Sequence, residues 1–559
     1  MLFFPTFPKP YISSGSCHLL VASICFYFVL INTHSCFGDL PLNSSEEIKA
    51  ATPTTQQSQP TSATTEDSNY WFQNAEASLQ QKILSQKTIK KKAKNVIFFI
   101  GHGMGVSTVT ATRIFKGQQE GKSGEENILN LEHLPNVGLA KTFCQDTKVA
   151  DSACSSTAFL CGTLANEGTI GLTSNVQFGD CRGQQNKSNH VSSVLAWAQA
   201  RGMSTGIVTT TRVTHATPGA TYVHSANSDW ENDKQVKDSG ENSELCDDIA
   251  EQLILGDVGS RINVILGGGR RELTPENELD VESNEPGLRT DGKNLIDSWL
   301  QTKNSNSAKY VWNKEQLLSV DKIRTDYLLG LFSYSDMDYV ADADFNADPS
   351  LTEMTKVAID VLSKNPNGYF LFIVAGRIDR AHHENKAQKA FLETIAMDDA
   401  ILTAMTKTLE EETLLLVSSD YSNVMTISGY PSRGNPILGI AGLSDVDGLP
   451  YTTISYANGP GYKHPGANGD RYDLANDPLF DLEYTQMTGL PLIEETHGGE
   501  DVSIYSRGPW AHLLTGVNHH SFIPHLIAYA ACLDIPGRNE LKGAHCLSSS
   551  FNLSSTSTQ

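Results

Sequence analysis

The chain is poor in long apolar runs. Outside Leu19–Ile31 (LLVASICFYFVLI), no segment approaches the roughly 18 apolar residues that mark a membrane-spanning helix. Cationic side chains are also scarce, with 42 Lys and Arg against 64 Asp and Glu and a formal charge of -22. Such a surface repels phosphate backbones, so nucleic acid is excluded as a partner class. The same field slows anionic substrates unless a local cation reverses it. Internal repeats are absent. So is a complete dinucleotide fingerprint: Gly101-His102-Gly103-Met104-Gly105 puts Val106 where the last glycine belongs.

The organisation follows from composition. Leu19–Ile31, preceded by Lys9 and followed by small residues near Ser35 and Gly38, reads as a signal peptide over residues 1–38. A Thr/Ser/Pro/Gln-rich flexible linker follows at 39–68, then one folded domain at 69–546, and a disordered Ser/Thr-rich tail at 547–559. That tail lacks the hydrophobic end of a lipid-anchor signal, so a secreted protein without a stable membrane anchor is expected. Residues 429–491 turn rich in Gly, Pro, Asn, Asp and Tyr and read as a loop-rich insert. Seven cysteines lie beyond the signal peptide (Cys144, Cys154, Cys161, Cys181, Cys246, Cys532, Cys546); the odd count leaves at least one free, and export favours disulfides. Asn43, Asn186 and Asn552 head N-x-S sequons.

Five short runs are apolar without alternation: Asn95–Ile100, Gly206–Thr209, Ile262–Leu266, Tyr369–Val374 and Thr413–Val417. Strands buried on both faces read this way, and helical stretches lie between them. The expected fold is α/β, a mainly parallel central sheet with helices on both faces. Candidate chemistry sits where these strands end. Ser152 opens a Ser/Ala/Thr-rich run and reads first as a helix N-cap, although the same place suits a nucleophile or an anion. Asp379 and His383 are spaced i, i+4 after Tyr369–Val374, which places carboxylate and imidazole on one helical face as half of a zinc site. Asp420, His497 and the run Thr214-His215-Ala216-Thr217-Pro218 follow other strands and converge on the same crevice.

From about Tyr70 to Cys546 the chain resembles the alkaline phosphatases of the animal secreted or membrane-anchored type. The resemblance rests on KNVIFFIGHGMGVSTVTATRI, DSACSSTAFLCG, TTTRVTHATPGATY, VILGGGR, GRIDRAHHE and EETHGGEDV. It implies an α/β sandwich that dimerises through an N-terminal helix at Tyr70–Ala77, carries a crown insert at about 429–491, and hydrolyses phosphate monoesters with two zincs and one magnesium. Ser152 would become phosphorylated. Asp379, His383 and His497 would hold the first zinc and Asp420 the second, with Thr217 and nearby His215 left at the magnesium position. Cys181–Cys246 and Cys532–Cys546 would be the disulfides, with Cys161 free; Cys144 and Cys154 are additional and able to pair.

The departures from the family pattern converge on that centre. His102 stands where the family has an Asp bridging the second zinc and the magnesium, and an imidazole ring nitrogen ligates one metal without bridging two. Val374 replaces the magnesium Glu, Tyr421 the second-zinc His, and Ser228 the phosphate-clamping Arg; Arg380 replaces a His beside the first zinc. Ser333 replaces an acidic calcium ligand, whereas Asp348 remains. The expectation is a retained fold with one zinc, a doubtful second, no stable magnesium, and hydrolysis reduced or lost. The alternative is a secreted pseudophosphatase that binds or scaffolds and keeps one zinc. A sulfatase is disfavoured, because no Cys-x-Pro-x-Arg motif accompanies Ser152.

Overall fold

The computed structural model describes residues 68–85, 88–537 and 543–547. The expected signal peptide, nearly all of the linker, Asn43, Asn552 and the end of the tail lie outside the described residues. The helix Ser68–Ser85 starts one residue before the expected domain boundary. Contacts divide the chain into Met1–Trp71, of which only the opening turn of this helix is described, and Phe72–Gln559, which holds the whole sheet and the site.

A ten-stranded sheet organises the larger unit. In chain order its first eight strands are β1 (Asn95–Gly101), β2 (Asn136–Lys141), β3 (Ser204–Arg212), β4 (Val264–Gly268), β5 (Ala308–Val311), β6 (Tyr327–Leu331), β7 (Tyr369–Ala375) and β8 (Thr413–Ser418). Two more, Val502–Arg507 and Gly516–His519, complete it. Across the sheet the order is Gly516–His519, β2, Val502–Arg507, β8, β1, β7, β3, β4, β6, β5. Only Val502–Arg507 runs against its neighbours. The five apolar runs read from the sequence are the five adjacent central strands, β8, β1, β7, β3 and β4.

Alternation on β1 explains why these runs show no polar face. Val96, Phe98 and Ile100 enter one core with Phe159, Trp197 and Phe372, while Ile97 and Phe99 enter the opposite core with Met354, Leu371 and Ile401. Helices Ser152–Cys161 and Val194–Ala200 cover the first face; Leu351–Leu362 and Ala387–Lys407 cover the second. Both faces are dry, so successive positions from Val96 to Ile100 are all apolar.

Register then places the chemistry. Ile100 lies opposite Val374 on one side and Ser418 on the other, and Val374 lies opposite Thr209. The ends of β1, β7, β8 and β3 are therefore level, and the segments leaving them share one crevice. Residues 429–491 carry short antiparallel pieces such as Ile440–Leu443 with Pro450–Thr452. Disulfides join Cys144–Cys154, Cys181–Cys246 and Cys532–Cys546, and Cys161 is a buried free thiol. Asn186 is exposed, as a glycan acceptor must be.

Candidate active site

The helix Ser152–Cys161 is capped by Asp151, not by Ser152. Asp151 accepts hydrogen bonds from the backbone of Ala153 and Cys154, which corrects the N-cap reading of Ser152. Burial pushes the Asp151 carboxyl up to about 6 despite these donors. With capping done by its neighbour, Ser152 is the first helical residue and its hydroxyl faces the crevice. A cavity of about 520 Å³ opens there, walled in part by His102, Ser152, Asp379, His383, Tyr421 and His497.

One half of the cavity gathers Asp379, His383 and His497, whose ligand atoms all lie within 4.8 Å of one another. Asp379 and His383 come from the helix Arg377–His383, so the i, i+4 spacing places both on one face. The two rings are aimed by main-chain carbonyls. His383 Nδ1 lies 2.5 Å from the Glu495 carbonyl and His497 Nδ1 lies 2.8 Å from that of Ala150. Each Nε2 is thereby turned into the crevice, where the two stand 3.3 Å apart and His383 Nε2 also lies 3.1 Å from Asp379 Oδ2, so that once deprotonated both rings can ligate one cation. Burial opposes a charge on His383, but Asp379 lifts its pKa to about 9; burial takes His497 down to about 4.

The other half is filled by a side chain. His102 leaves β1 with Nδ1 3.0 Å from Asp379 Oδ2 and Nε2 3.2 Å from Asp420 Oδ2. The same Nε2 is 2.9 Å from Ser152 Oγ. Burial disfavours a charge on this ring, yet Asp420 and Asp379 together raise its pKa. Gly103 follows in the left-handed region at φ +66°, and a Cβ there would strike Asn423 and Asp379, so only glycine lets the chain pass. Its N–H donates to Asp420 Oδ1 at 2.9 Å. Tyr421 OH lies 2.9 Å from Ser152 Oγ, and its ring stacks on His497 at 3.6 Å. Burial holds the phenol well above its usual pKa, so it is a neutral donor.

The remaining sequence candidates are placed as follows. Thr217 Oγ1 reaches Asp420 Oδ2 only at 3.5 Å. His215 stands 5.2 Å from His102, ring to ring, and its buried Nδ1 has no hydrogen-bond partner among the described residues. Val374 is fully buried in the apolar core. Ser228 lines the cavity, with its N–H given to the Gly168 carbonyl at 2.9 Å. Arg380 is at the rim, paired with Glu494 at 2.7 Å. Ser333 and Asp348 are not among the residues lining this cavity.

Sequence reasoning missed the supports. Asn423 donates to Asp379 Oδ1 at 3.0 Å. Arg212 is tied to Glu231 at 2.7 Å and to Asp336 at 2.8 Å, so its charge is spent within the wall. Glu495 orients His383 by a main-chain atom, which no side-chain motif announces. Arg212 and Glu495 do lie inside the quoted motifs TTTRVTHATPGATY and EETHGGEDV.

Residues 93–533 match the family model described as alkaline phosphatase. The chain is 47% identical over 489 residues to the tissue-nonspecific isozyme of alkaline phosphatase from Gallus gallus, covering 86% of this chain and 92% of the relative. It is 46% identical over 475 residues to the isozyme of the same description from Homo sapiens, covering 84% and 89%. The crystal structure of Thermus thermophilus alkaline phosphatase superposes with a TM-score of 0.56 at 21% identity, covering 82% of this chain and 95% of that one. The level strand ends, the Asp379–His383–His497 cluster and these likenesses agree, and the chain belongs to the alkaline phosphatase family.

Proposed function

We propose that this protein is a secreted, homodimeric phosphate monoester hydrolase of that family in which one metal position is kept and catalysis is strongly slowed. One observation carries the reading: the His102 ring lies within 3.2 Å of Asp420, 3.0 Å of Asp379 and 2.9 Å of Ser152. It occupies the ground on which the resemblance puts a bridging carboxylate and the second zinc.

The residues fit the implied metals unequally. Asp379, His383 and His497 suit a zinc ion, because two carbonyl-oriented imidazoles and a carboxylate bring their ligand atoms together within 4.8 Å. A zinc held there would supply Lewis acidity beside Ser152. The second zinc does not fit: Asp420 is its only carboxylate, already engaged with Gly103 N–H and His102, and Tyr421 is a neutral phenol. Magnesium does not fit either, since Val374 offers no oxygen and Thr217 and His215 offer no anion.

The chain's own groups then do the following. Ser152 presents its hydroxyl at a helix N-terminus, where the dipole favours an anionic ester. His102 and Tyr421 hold that hydroxyl by hydrogen bonds. Ser228 lacks the guanidinium fork that would bind phosphoryl oxygens, and removing one such preorganised group typically costs about 10²–10³ in rate. Hydrolysis of an aryl phosphate at alkaline pH, with zinc and magnesium supplied, tests the reading. The expected rate is at least about 100-fold below that of the animal relatives. An equal rate overturns it; zinc binding without turnover moves the assignment to a binding protein.

A further inference from the structure

The Cys144–Cys154 bridge is additional to the two disulfides that the resemblance implies, and it sits against the site. It closes a loop around Ala150, Asp151 and Ser152, with its ends at a Cα–Cα distance of 5.5 Å. Residues 142–151 form neither helix nor strand, and Gln145, Asp146, Lys148 and Val149 are exposed. Such a segment has no backbone ladder to hold it, so fixing its ends removes most of its freedom. The two cysteines are buried in one cluster with Ala150, Ala165 and Tyr421. We propose that the Cys144–Cys154 disulfide is a positioning element for the zinc centre, holding in place the Ala150 carbonyl that aims His497.

The contacts transmit the constraint in a short chain. His497–Gly498 pairs with Ser422–Asn423, so the main chain of His497 is pinned and ring rotation is the freedom left. Stacking on Tyr421 at 3.6 Å fixes the plane of the ring but not which edge faces inward. The Ala150 carbonyl, 2.8 Å from Nδ1, decides that and turns Nε2 toward Asp379 and His383. Both ends of the loop lean on one further segment. Gln145 N–H donates to the Ala165 carbonyl at 2.9 Å, and Asp151, which caps the helix of Ser152, accepts the Gly168 N–H at 3.0 Å. The bridge locks these ends together.

Shielding makes the bond a fixed staple and not a switch. Cys144 is 2% and Cys154 0% exposed, so a reductant has no path to the sulfurs in the folded chain. The hydrogen-bond partner of a metal-ligating histidine is typically worth 10–100-fold in affinity. Here that partner is a main-chain atom, which no change of its own side chain deletes, and the disulfide is the handle on it. This positioning role rests on the reading of Asp379, His383 and His497 as a zinc site.

The test measures zinc affinity of the full chain by competition with a chromogenic chelator. The double change Cys144→Ala with Cys154→Ala is set against Cys532→Ala with Cys546→Ala. The two bridges span 10 and 14 residues, so loop-closure entropy makes their general stabilisation nearly equal, and neither Cys532 nor Cys546 lines the cavity. Zinc should bind about 10-fold or more weakly without Cys144–Cys154. It should bind about as well as to the unmodified chain without Cys532–Cys546, a contrast that a merely structural role would not give. Ala150→Gly keeps the bridge and loosens only the carbonyl, and should weaken zinc by about two- to fivefold, the worth of glycine's extra backbone freedom. That variant decides the matter if the double change fails to fold. Unchanged zinc affinity in these variants, or equal losses from the two bridges, overturns the proposal. An unmodified chain that binds no zinc sinks the zinc reading instead, and amide hydrogen exchange of the metal-free chain then judges the staple. Loss of Cys144–Cys154 should strip protection from the Ala153, Cys154 and Gly168 amides that Asp151 holds, and loss of Cys532–Cys546 should not. Unchanged protection there overturns it as well.

Discussion

The two halves of the crevice contain similar residue types and are built to opposite ends. Around His383 and His497, carbonyl oxygens hold both Nδ1 atoms and turn the two Nε2 atoms toward each other, with one carboxylate, Asp379, between them and His102. Around His102, both ring nitrogens are already engaged by carboxylates and by Ser152. Imidazole count therefore says little about metal content; what the second nitrogen touches decides it. An imidazole aimed by the main chain is a ligand waiting for a cation, and one aimed by two carboxylates takes the cation's place.

The largest effect comes from converting the filled half into the open kind. His102→Asp, Ser228→Arg, Val374→Glu and Tyr421→His together should raise aryl phosphate hydrolysis by about 10³-fold or more with zinc and magnesium supplied, the scale of one or two restored preorganised groups. Adding Ser152→Ala should remove the gain. Steady-state kinetics checks both, and a combined variant no faster than the starting chain would break the comparison. A second expectation concerns a buried acid outside both halves. Glu393 is 2% exposed and accepts the Val340 N–H, and burial pushes its pKa from 4.5 up to about 7. A raised folded-state pKa means the native chain holds the extra proton, so this contribution is full below about pH 4.5 and is lost as pH rises through about 7. Glu393→Gln should flatten that fall, by at most about 3 kcal/mol, in denaturant melts across pH. The smallest effect belongs to Ser228→Arg alone, which should change hydrolysis by about threefold or less, because catalytic groups that act as a unit do not add. A large gain from that single change would place the defect in the clamp and not in the filled half.

How much of this the sequence discloses depends on burial. β8, β1, β7, β3 and β4 were legible because both faces are dry and no polar residue interrupts the run. β2 and Val502–Arg507 were missed because their burial alternates, with residues such as Lys141, Ser503 and Arg507 on the wetter side. The short β5 carries Lys309 at its exposed position and reads as loop. In the site, Asp379, His383, His497, Asp420 and Ser152 were legible as chemistry at strand ends. Their supports were not, since the Ala150 and Glu495 carbonyls act through atoms every residue has. Nor does sequence tell that His102 reaches Asp379, Asp420 and Ser152 at once; only the level ends of β1, β7 and β8 bring those three together.

Metal stoichiometry tests the contrast between the halves most directly. Elemental analysis of the dialysed chain, repeated on His383→Ala and on Asp420→Asn, reads each half separately. The account predicts about one zinc per chain and no magnesium, by ligand count, with the zinc lost in His383→Ala and kept in Asp420→Asn. Two zincs and one magnesium per chain, or loss of zinc in Asp420→Asn, would contradict it.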